Sequence, residues 1–245
     1  MNEQPTTREV RDTGRLEKLK KAFHRTRAEE WANGITHLLG VCFGIVALTL
    51  MCVFAAQHGT ARHIASCAIY GATLILLYKS SALYHLLSNL KAKRVMQIFD
   101  HVNIYLLIAG TYTPIALISL EGRTGWVIFG IVWGLALLGI LFETLAPKLA
   151  TYASLPIYLA MGWTAVIAWG DVRAALPSGG FTMLVTGGVV YTLGVIFYVM
   201  DKVPYMRLPL GLHHFLCHSL ELIAKAGVCS TAKGIALVKC PEELC

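Results

Sequence analysis

The chain has 245 residues, 56% hydrophobic and 14% charged, with a formal net charge of +7. Ordinary soluble domains carry roughly 25% charged residues, so this chain lacks the charge to cover a water-facing surface. Disorder, which needs few apolar residues and much charge, is excluded by the same figures, and a soluble nucleotide- or nucleic-acid-binding protein is disfavoured. From Trp31 to Leu90 the only charged residues are Arg62 and Lys79, the pattern of an integral membrane protein.

Residues 1–30 read as a polar arm carrying eight Lys or Arg, with no apolar stretch of signal-peptide kind. Apolar runs then follow at 34–56, 64–87, 99–120, 125–146, 150–170, 180–200 and 208–224. Crossing about 30 Å of hydrocarbon takes roughly 20 helical residues, and each run comes close to that length. The breaks between them carry turn or charge signals, such as Gln57-His58-Gly59, Ser88 to Arg94, Pro147-Lys148 and Asp201-Lys202-Val203-Pro204. The expected fold is an all-α integral membrane protein, a seven-transmembrane-helix bundle over 31–225 with a mixed tail at 226–245. Glu221 and Lys225 interrupt the last run.

Loop charge sets orientation. With the N-terminal arm placed inside, 14 of the 21 Lys and Arg fall on that side and 6 on the other. The N-terminus is therefore expected in the cytoplasm and the C-terminus outside, opposite to G-protein-coupled receptors. Localisation is expected at the cell membrane, the inner membrane in a bacterium. The seven cysteines show no CxxC pair or framework spacing and read as small apolar filler.

Polar groups inside spans are costly and face the bundle interior, which makes each a candidate for function. Here they share one depth. Glu30, Asn33 and His37 open the first span; Ser81 and His85 close the second; Asp100 and His101 open the third; His213, His214 and His218 open the seventh. His214 and His218, four apart on a helix, project from one face. That spacing suits two nitrogens on one ion at about 2.0–2.1 Å. An i, i+4 histidine pair alone is often accidental, but His85 can supply a third ligand, and three histidines plus water make an open, catalytic zinc site. Asp100 can hydrogen-bond that water or ligate the ion, and Ser81, one turn before His85, can polarise a bound carbonyl. Glu30, Asn33 and His37 lie on one helix face and are expected to brace the inner mouth through hydrogen bonds to span two or three; helix-start capping is the plainer alternative. Lys79 is expected to snorkel or to pair with a carboxylate such as Glu143 or Asp201. His58 and His63 read as loop residues, and His101 as pointing away from Asp100.

Together Glu30-x2-Asn33-x3-His37, Ser81-x3-His85 with Asp100, and His214-x3-His218 after Pro209-Leu210-Gly211 resemble the hemolysin III branch of the progestin and adipoQ receptor (PAQR) family. The resemblance implies seven spans with the N-terminus inside and a Zn2+ held by His85, His214 and His218. It further implies that Asp100 reaches the zinc through water and that Ser81 lines the site. Alkaline ceramidases of the wider superfamily hydrolyse a lipid amide, and bacterial members are linked to membrane-lipid homeostasis. The expected function is a zinc-dependent hydrolase of a lipid amide or ester, with Asp100 and Ser81 catalytic and a membrane lipid as substrate or ligand. The alternative is a pore-forming, cytolytic or membrane-regulating protein with a structural zinc; a ligand-sensing receptor rests on family analogy alone. No nucleic-acid partner is expected.

Overall fold

The computed structural model describes residues 27–120 and 122–199, and among these all secondary structure is helical. In chain order the elements are α1 (Arg27–His58), α2 (Ala61–Leu86), α3 (Leu90–Pro114) running into a π-helical turn (Ile115–Ser119), and α4 (Gly122–Leu145). There follow α5 (Pro147–Gly162), a 3-10 turn (Thr164–Ala168), α6 (Trp169–Ala175) and α7 (Ser178–Val199). Among the described residues five stretches are long and apolar enough to cross a membrane: Arg27–His58, Ala61–Leu86, Leu90–Ser119, Gly122–Leu145 and Pro147–Ala175. The expected seventh span, 208–224, lies outside the described residues, as do the basic arm up to residue 26 and the tail.

The packing is inside-out relative to a soluble protein. Helix α1 turns Asn33, Gly34, His37, Gly40, Gly44, Ala47, Met51 and Ala55 inward, a three-to-four-residue stripe of small and polar groups. Its bare face carries Ile35, Leu38, Leu39, Ile45, Val46 and Leu50. Lipid is as apolar as leucine, so helices associate through small residues that let backbones approach rather than through large apolar ones. A Cβ at Gly40 would lie 2.6 Å from the Tyr78 ring of α2, and one at Gly139 of α4 would strike the Tyr105 ring of α3. Helix α3 is the axis of the bundle. One core cluster joins it to α1 and α2 through Met51, Tyr70, Leu74, Tyr78 and Leu107; another joins it to α4, α5 and α6 through Tyr105, Ala109, Val132, Tyr158 and Met161.

Two departures from the expected spans matter. Helix α3 starts at Leu90, nine residues before the apolar run at 99, because the Asn89 side chain caps it by accepting from the Lys91 and Ala92 amides at 3.0 and 3.2 Å. The connection after α2 is thus only Leu87, Ser88 and Asn89, and Lys91, Lys93 and Arg94 are helical rather than loop residues. The fifth span is broken by the 3-10 turn, which leaves backbone groups without their i, i+4 partners. The Tyr112 hydroxyl of α3 closes the gap, donating to the Gly162 carbonyl at 2.6 Å and accepting from the Ala165 amide at 3.0 Å. Such repair is required where no water can substitute.

Candidate functional site

The polar layer forms at the end of the bundle where α1, α3 and α5 begin and α2 and α4 finish. Antiparallel connection brings the first turn of α1, the last turn of α2 and the first turn of α3 together there. Asn33, His37, Ser81 and His85 are all buried. The His85 Nδ1 lies 3.0 Å from Glu30 Oε2, and the Lys93 ammonium reaches the same oxygen at 2.7 Å. The imidazole is walled on one side by His37, whose ring stacks within 14° of parallel at 5.7 Å between centroids. Tyr84 meets it on another side at 4.8 Å, and Lys93 lies 5.1 Å over that tyrosine ring.

Of the expected bracing residues, Glu30 bonds through its side chain to span two and to span three. Asn33 is buried without a side-chain hydrogen bond among the described residues. Asn103 of α3 bonds the Ser80 hydroxyl at 2.9 Å and the Leu76 carbonyl at 3.3 Å, which fixes the final turns of α2 against α3. Ser81 and His85 sit on those turns, and Asp100, half-buried, lies one helical turn before Asn103. The Ser81 hydroxyl makes no hydrogen bond among the described residues.

The sequence places Lys93 in the charged break from Ser88 to Arg94 and does not mark it as part of the site. It is 6% exposed. The signal was Asn89, whose cap puts Lys93 in the first turn of a helix rather than in a connection. A second buried carboxylate was also missed as a centre. Glu143 at the end of α4 accepts from Ser154 Oγ of α5 at 2.6 Å and faces His101 Nδ1 of α3 at 3.4 Å. Tyr158 donates to the His101 carbonyl at 2.9 Å and ties α5 to the same place. Glu143 is therefore engaged by His101 and Ser154 instead of Lys79, which is exposed.

Among the described residues no three His, Cys, Asp or Glu side chains gather to hold a metal ion. His214 and His218, two of the three expected ligands, lie outside the described residues. Residues 25–227 match the family model described as "Haemolysin-III related". The chain belongs to the haemolysin-III family. Over 203 residues it is 42% identical to "Hemolysin-3 homolog" of Bacillus subtilis (strain 168), covering 83% of this chain and 92% of that one. It is 40% identical over 177 residues to "Hemolysin-3" of Bacillus cereus, covering 72% and 81% respectively. A more distant likeness, 26% over 140 residues, links 55% of the chain to 58% of the human "Monocyte to macrophage differentiation factor" and supports placing this haemolysin-III protein on the PAQR branch. It is a multi-pass protein of the cell membrane.

Of the three expected ligands the described residues include His85 alone, and its surroundings suit a metal-ligating role. Nδ1 of His85 is occupied by a carboxylate while its Nε2 carries no hydrogen bond among the described residues. Metal-ligating histidines almost always have their second ring nitrogen engaged in this way, which fixes tautomer and ring orientation.

Proposed function

We propose that this haemolysin-III protein is a zinc-dependent membrane hydrolase acting on the amide or ester of a lipid, and that it serves membrane-lipid homeostasis. In this reading the bundle has seven spans, with the seventh at 208–224, the N-terminus in the cytoplasm and the C-terminus outside, as the Lys and Arg bias favours. The observation that supports it best is His85, buried at a polar bundle end, held by Glu30 through Nδ1 and free at Nε2 among the described residues.

His85, His214 and His218 would hold the ion. When bound there, zinc supplies Lewis acidity and brings the pKa of a water near neutrality. Asp100 accepts the proton of the attacking water, a general-base role worth ~10²–10⁴-fold in rate. Ser81 donates to the carbonyl oxygen as negative charge develops on it. The acyl chain lies among apolar helices, which keep bulk water away from the carbonyl. Purified protein is expected to contain zinc and to release fatty acid from a lipid amide or ester, and His214→Ala is expected to abolish both. Zinc-free protein, or turnover unchanged in His214→Ala, rejects the proposal.

The name "Hemolysin-3" of the B. cereus relative favours a second reading, a cytolytic or membrane-regulating protein in which zinc only ties spans two and seven together. That protein leaks ions through proteoliposomes and tolerates Asp100→Asn while the metal stays bound. The hydrolase loses turnover in the same variant and leaves vesicles tight.

A further inference from the structure

The sharing of one carboxylate oxygen by two donors has a chemical consequence for His85. Oε2 of Glu30 lies 2.7 Å from the Lys93 ammonium, which has three hydrogens to give and no lone pair to accept with. That oxygen is therefore an acceptor, and a ring nitrogen 3.0 Å from it has to bring the hydrogen. Nδ1 of His85 carries the proton, and in the neutral ring Nε2 carries the lone pair. Lys93 and His85 meet on the same Glu30 oxygen, so the lysine can act on the imidazole through Glu30.

The placement of the lysine argues for more than charge balance. An ammonium at the start of a helix near a membrane border has a long flexible stem and ordinarily snorkels to water. Lys93 stays 6% exposed instead. It is directed inward across the Tyr84 ring, which itself packs on His85 at 4.8 Å. The neighbouring cations Lys91 and Arg94 on the same turn are exposed. One cation of three has been drawn into the site, and it binds the oxygen that orients the histidine.

We propose that Lys93 and Glu30 form a positioning relay from α3 through α1 to α2 that holds His85 as the Nδ1–H tautomer with Nε2 offered to a divalent cation. The inference rests on the metal-site reading above and extends it to two residues that do not ligate. It assigns three helices to the orientation of a single ligand.

The test is zinc affinity of the purified full-length protein by competition with a chromophoric chelator, together with the visible absorption of the cobalt(II)-substituted protein. Loss of an outer-shell partner typically weakens metal binding by about 10–100-fold. Glu30→Gln is expected in that range, Lys93→Met at about 10-fold, and both are expected to shift the cobalt bands. Lys93→Arg restores a donor to Oε2 and is expected to recover most of the affinity, whereas Lys91→Met changes nothing. The double variant E30Q/K93M removes both buried charges at once. It guards against misfolding of the single lysine variant, and it is expected to bind no more weakly than Glu30→Gln alone, because the lysine acts only through the glutamate. Losses that multiply in the double variant overturn the relay. Wild-type affinity and cobalt bands in both Glu30→Gln and Lys93→Met overturn it while leaving the metal site standing. Wild-type protein that fails to bind zinc overturns the metal reading, and the relay with it.

Discussion

Two carboxylates withdrawn from water, Glu143 buried and Glu30 partly so, stand at the same end of the bundle, both within reach of α3, and their partners differ in kind. Glu30 meets the Lys93 ammonium and shares the same oxygen with an imidazole. Glu143 meets a hydroxyl at 2.6 Å and an imidazole at 3.4 Å whose side chain is 35% exposed. Removing one member of a buried ion pair leaves the other uncompensated, which costs more than the pair contributes while intact. At Glu143 the stranded partner has an escape: the imidazole of His101 sheds its proton and becomes a neutral donor and acceptor. The lesson is that the less buried of two acids can be the more committed. The first is held by an ion pair whose lysine has been drawn out of water, and the second by a hydroxyl and a partly exposed imidazole.

The largest effect is expected for Glu30→Leu, which strands the Lys93 ammonium and lowers stability by about 3–5 kcal/mol. Unfolding in mild detergent would read it, and the double change E30L/K93L should return much of the loss. A fall no greater than that of Glu143→Leu would erase the contrast between the two sites. Glu143→Leu is expected next, at about 2–3 kcal/mol, since it removes hydrogen bonds to a charged acceptor without leaving a forced cation. Ser154→Ala keeps the carboxylate but takes away its shortest donor, and about 1.5 kcal/mol is expected from that bond to a charged group. The same denaturation series would measure it, and no change would mean that His101 alone suffices. The smallest effect belongs to Lys79→Gln. Its side chain is exposed and engages neither carboxylate, so a shift within about 0.5 kcal/mol is expected, as for surface changes generally.

Local signals in the chain were enough to find the five long apolar helices among the described residues, with ends that differ by up to nine residues, because span length and apolar runs follow directly from the thickness of hydrocarbon. Depth was also legible: Glu30, His37, Ser81 and His85 do share one bundle end, as the alternating direction of the spans requires. What the chain did not announce were pairings decided by rotation about a helix axis. Glu30 and Lys93 are 63 positions apart, and His101 and Glu143 are 42 apart. Which faces meet is set by small residues such as Gly40 and Gly139, not by the charges themselves. The basic cluster between Ser88 and Arg94 thus has the pattern of a connection, although one lysine in it is buried. The break in the fifth span escaped for a similar reason. Thr164–Ala168 is as apolar as its flanks, and only the tertiary contact from Tyr112 reveals that the helix has changed its winding.

That phenol has a mechanical corollary. A single oxygen closes the circuit for both the Gly162 carbonyl and the Ala165 amide, so the upper segment of the fifth span cannot tilt or unwind in oil without exposing two bare dipoles. The tyrosine must travel with it. Any motion that opens a passage between the third and fifth helices is thereby geared, with the axle of the bundle turning whenever the broken strut does.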